Sequence, residues 1–87
     1  MKIPKKIKIC GHVYKVMIVD HELIESNCGE VNRARNTIKL RNDLPKSQLE
    51  ESFIHEVLHV INQDWSEERI EFTSNIIYQI LKDNKFI

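Results

Sequence analysis

Two cysteines, two glycines, two prolines and one tryptophan are all that these 87 residues hold of those types. Each scarcity excludes something. Cys10 and Cys28 lie far apart and form no C-x-x-C pair, so the chain has neither a disulfide framework nor a cysteine-based zinc site. In a reducing compartment they read as free thiols. No apolar run is long enough to span a bilayer, and the opening MKIPKKIKI lacks the apolar segment of a secretory signal. The chain is therefore expected in the cytoplasm, with no membrane partner. Excess charge is missing too: 13 Lys and Arg balance 13 Asp and Glu. Nucleic-acid binding relies on a basic surface, so nucleic acid is not expected as a partner.

What is present fits a globular protein. The length sets one domain, over residues 1–87, with a limited core that a bound metal would help to stabilise. The four lysines of MKIPKKIKI read as an edge strand, with Ile3, Ile7 and Ile9 turned inward and the lysines discouraging edge pairing. KIKIC and HVYKVMIV are β-branched and apolar, and the residues around Gly11 can turn them into a hairpin. HELIESNCG, residues 21–29, is a polar connection. Two short strands at 30–32 and 37–40 then flank a turn at RARN. Ile38 and Leu40 alternate with polar neighbours, the pattern of a strand with one buried face.

The second half reads as two helices. LPKSQLEESFIHEVLHVIN has Pro45 at its start, and Ser47 with Glu50 matches a capping box. Leu49, Phe53, Val57, Val60 and Ile61 make a wide apolar face centred near Val57. DWSEERIEFTSNIIYQILKDN follows, capped by Asp64 with Glu67 or by Ser66 alone. Ile70, Ile77, Ile80 and Leu81 supply its core stripe. The short connection predicts an antiparallel helix hairpin. The expected fold is α+β: a small antiparallel or mixed β-sheet followed by two helices.

The chemistry sits in SFIHEVLHVIN, residues 52–62, which holds the pattern H-E-x-x-H. On a helix, His55 and His59 are one turn apart on one face, roughly opposite Val57, so both imidazoles can reach one metal ion. Zinc suits neutral imidazole. Glu56 projects beside the pair and can take a proton from water, then pass it on. The competing reading is a solvent-facing helix with polar residues. A third ligand is needed from the next helix. Counting along an antiparallel hairpin sets Glu71 level with His59, whereas Glu67 and Glu68 lie nearer the turn; Glu71 is favoured, with Glu67 and Glu68 as alternatives. Tyr78 can hydrogen-bond a ligand or stabilise an oxyanion, or can be a core tyrosine with a wet hydroxyl. Asn75 is a candidate supporting partner. His12 and His21 have no spacing that ties them to the motif and read as surface residues.

These residues resemble the small zincin-type metallopeptidase-like proteins of bacterial phages and prophages. GHVYKV, GEVN, TIKLRNDLP, EESFIHEVLHVI, SEERIE and YQILKDN carry the resemblance, which spans about residues 11–84. It implies a minimal zincin-like domain in a gluzincin-like arrangement. His55, His59 and Glu71 would be zinc ligands and Glu56 the catalytic acid and base. No H-x-x-G-x-x-H extension follows HEVLH, which sets metzincins aside. A second, cleft-closing lobe is not expected after the second helix. The functional expectation is a zinc metallopeptidase acting on a peptide or protein substrate laid along an edge strand at 37–40. The alternatives are a non-catalytic zinc-binding regulatory or interaction module of a phage or prophage, and a purely structural domain.

Overall fold

The computed structural model describes residues 1–24 and 28–87. The middle of the polar connection expected over 21–29 thus lies outside the described residues. The fold is α+β, with a four-stranded mixed sheet and two helices. Strands β1 (Lys6–Ile9) and β2 (His12–Val19) form a tight antiparallel hairpin. Its turn holds Cys10 at φ 50° and Gly11 at φ 85°, a pair of left-handed residues that suits the twist of a two-residue hairpin. A 3₁₀ turn at His21–Leu23 follows. Strands β3 (Gly29–Asn32) and β4 (Thr37–Arg41) form a second antiparallel hairpin.

The two hairpins join through β2 and β4, which run parallel, so the order is β1-β2-β4-β3. This corrects one expectation. Residues 37–40 are interior and not an edge; β1 and β3 are the edges. The physical reason is the apolarity of β4. Ile38 and Leu40 are fully buried, and the centre of the sheet covers them from both sides.

Helix α1 (Lys46–Ile61) packs across β3 and β4, and α2 (Glu67–Asp83) packs on α1. The core joins Ile9, Tyr14, Val16, Ile38 and Leu40 of the sheet to Phe53 of α1, with Leu49, Val57 and Val60 beside them. The expected capping box does not form. Pro45 is the residue before the first turn, which places Ser47 inside the helix, and no side chain caps this end. Glu50 turns inward instead. It is buried, accepts a hydrogen bond from the Tyr78 hydroxyl at 2.7 Å and pairs with the Met1 ammonium at 2.7 Å. The second helix is capped as expected: the Ser66 hydroxyl oxygen accepts from the Arg69 amide at 3.1 Å. Among the described residues, no helix is long and apolar enough to cross a membrane.

Candidate metal centre

The most buried residues of α1 are Glu50, Ser52, Phe53 and Glu56, so the face against the sheet is turned from Val57 toward Glu56. That rotation brings His55 and His59 to the margin of the helix packing, where both are largely covered: their side chains are 18% and 24% exposed. Their Nε2 atoms lie 3.1 Å apart. Above them sits Glu67, the first residue of α2. One of its carboxylate oxygens is 2.6 Å from His55 Nε2 and the other 2.9 Å from His59 Nε2.

Three donor groups therefore meet at one point. Two imidazole nitrogens and a carboxylate are the donor chemistry of a zinc site, in which tetrahedral ligand atoms stand about 3.3 Å apart. The observed separations of 2.6, 2.9 and 3.1 Å are shorter than this, most of all between His55 and Glu67. With both Nε2 atoms protonated, each imidazole donates to its own Glu67 oxygen; with both deprotonated, the same three groups present lone pairs to one cation. The three residues present could hold a metal ion.

The third donor differs from the one favoured above. Glu71 is exposed on the wall of the same cleft, but Glu67 meets the histidines. Level along the axis does not separate the two, because a glutamate side chain reaches across about one helical turn. Angle does. The buried ridge of α2 is Ile70, Ser74 and Tyr78, and Glu67 continues it. Glu71 stands about 40° further round than Glu67, away from α1. The complete burial of Ser74 is what the sequence reading lacked, since a stripe drawn through Ile70, Ile77, Ile80 and Leu81 points elsewhere.

Glu56 lies beside the three donors, only 5% exposed. Burial, then the nearby Glu67 and Glu30 carboxylates, push its carboxyl up to about 7. Room for it comes from β3. Gly29 pairs with Leu40, so it faces α1. A Cβ added there would stand 3.1 Å from Glu56 Cγ and 2.8 Å from the Lys39 carbonyl oxygen. Only a glycine lets the carboxyl settle against the strand.

No protein-family model, curated protein or solved structure matches this chain. An open cleft of about 760 Å³ surrounds the site, lined by β3, α1 and the start of α2. Arg33, just past β3, donates a hydrogen bond from Nη2 to the His59 carbonyl oxygen. It ties the strand to the helix end that carries the second histidine. Cys28 also lines the cleft; it and Cys10 are free thiols.

Tyr78 does not line the cleft. Its hydroxyl is spent on Glu50, which raises it to about 12, so it is a core tyrosine and not an oxyanion donor. Asn75, in the amide orientation that satisfies its neighbours, donates to a Glu51 carboxylate oxygen and to the Glu71 carbonyl. His12 and His21 are exposed, apart from the site. Gly29 and Arg33 went unnoticed in the sequence. A glycine opening the strand in GEVN was the one available signal for the first; nothing local marked the second.

Proposed function

We propose that the protein is a zinc-dependent metallopeptidase of minimal zincin-like form, kin to the phage and prophage group its sequence resembles. The supporting observation is the convergence of His55, His59 and Glu67 on one point beside the buried carboxyl of Glu56. When bound there, zinc supplies Lewis acidity toward water and a peptide carbonyl. His55, His59 and Glu67 would hold the ion at the edge of the cleft. Glu56 takes a proton from the attacking water and returns it to the departing amine. A buried carboxyl set beside the three donors is placed to run both transfers, as a general base that later acts as acid. The substrate peptide lies in the cleft between β3 and the two helices.

The test is Glu56→Gln, compared with the parent on a peptide library at fixed zinc. The variant should keep one zinc per chain and lose cleavage by on the order of 10²–10⁴-fold. Equal cleavage by the two proteins would remove Glu56 from the chemistry. One zinc per chain without any Glu56-dependent cleavage would leave the non-catalytic zinc-binding module. Zinc near zero after loading would rule out both.

A further inference from the structure

Helix α2 has a second face that nothing among the described residues covers. Phe72, Ile76 and Ile80 are 68%, 41% and 45% exposed. At 100° per residue these three lie within about 80° of one another, and Arg69 and Asp83 fall on the same stripe. Trp65 closes its N-terminal end, with the Arg69 guanidinium 4.7 Å over its ring. The stripe is therefore apolar in the middle, cationic at one end and anionic at the other. Scattered single apolar residues are ordinary on a surface, but a helical row of three, flanked by opposite charges, marks an interaction face.

We propose that this stripe docks a second copy of the chain, α2 against α2, antiparallel about a two-fold axis at Ile76. The charge order selects this occupant. Under a two-fold at Ile76, each residue faces the one equally far on its other side. Phe72, four before, meets Ile80, four after. Arg69, seven before, meets Asp83, seven after. Every apolar residue of the row then packs on an apolar partner, and both ends close in opposite-charge pairs. A parallel arrangement would bring Arg69 to Arg69 and Asp83 to Asp83. The Gln79 amide donates to Asp83 at 3.1 Å at the edge of the stripe.

The dimer leaves the metal centre open. Glu67 lies nine residues before Ile76, half a turn round the helix, so both clefts face outward. A single-helix contact is smaller than the roughly 1,200 Å² of standard interfaces, so the association is a weak one that depends on protein concentration.

Sedimentation velocity of the full chain over increasing concentration tests this. The parent should pass from monomer to dimer. Ile76→Lys puts two ammonium groups on the axis and should stay monomeric. Arg69→Asp and Asp83→Arg, each alone, should weaken dimerisation roughly tenfold, and the double variant should restore it. Far-UV circular dichroism and zinc stoichiometry should be unchanged in all four, since every altered side chain is exposed and lies about half a turn round α2 from Glu67. A parent that stays monomeric, an Ile76→Lys protein that still dimerises, or a folded double swap that fails to recover would each overturn the proposal.

Discussion

At the scale of single residues, the site is shaped by which side chains are missing as much as by which are present. Gly29 has no Cβ, so Glu56 can sink between helix and strand, and burial then lifts its carboxyl toward neutrality. Glu67 and Glu71 share the cleft wall, yet only Glu67 has both carboxylate oxygens on the histidines. Their substitutions should separate cleanly. Glu67→Ala should lower zinc affinity by more than the roughly 10–100-fold typical of a supporting partner, because it removes a ligand. Glu71→Ala should change it by less than about threefold. Competition titration with a chromogenic chelator measures both, and the opposite ranking would make Glu71 the ligand. The histidines were legible in the sequence because i, i+4 spacing on a helix is a local fact. The choice between Glu67 and Glu71 was not, because it depends on the rotation of α2 against α1. Ser74, a small polar residue fully buried on the inner ridge of α2, gives no hydrophobic signal of that rotation.

At the scale of elements, Glu50 is the point where the start of the chain, α1 and α2 are joined. The Met1 ammonium holds its carboxyl below the usual range, the Tyr78 hydroxyl adds to that, and Lys82 stands 4.0 Å away. A carboxyl lowered by folding contributes stability that is fully present above its unfolded value of 4.5 and is lost as pH falls through the folded value. Glu50→Gln should therefore be destabilised most at neutral pH. Its deficit against the parent should shrink as the pH drops below 4.5. Tyr78→Phe removes a buried hydrogen bond to a charged group and should cost about 1.5–3 kcal/mol at neutral pH. Urea midpoints of the three proteins at neutral and acid pH check both. A Glu50→Gln deficit that is constant with pH would mean that the carboxylate charge plays no part. The capping box that Ser47 and Glu50 spelled in the sequence was a local reading; the Met1 and Tyr78 partners that claimed Glu50 are far away along the chain.

For the molecule as a whole, the same divide between local and distant decides what could be foreseen. The β1–β2 hairpin, the alternation of Ile38 and Leu40 and the two helices follow from short-range patterns, and the structure carries all of them. The insertion of β4 between β2 and β3 does not, because a parallel pairing across some twenty residues leaves no periodic trace. A sheet of four short strands and a helix pair bury a modest core, and α2 is held chiefly through α1. A ligand that bridges α1 to the first turn of α2 should consequently act on global stability. If zinc binds the folded chain alone, free zinc at 100 times its dissociation constant adds about 2.7 kcal/mol. For a domain of this length, 1 kcal/mol moves the melting temperature by about 4–8 °C, so saturation should raise it by roughly 10–20 °C. Differential scanning calorimetry with zinc and with chelator reads the shift directly. It should vanish in Glu67→Ala, whose helices are no longer bridged, and persist in Glu56→Gln, whose ligands are intact. A full shift in Glu67→Ala would place the metal somewhere other than between the two helices.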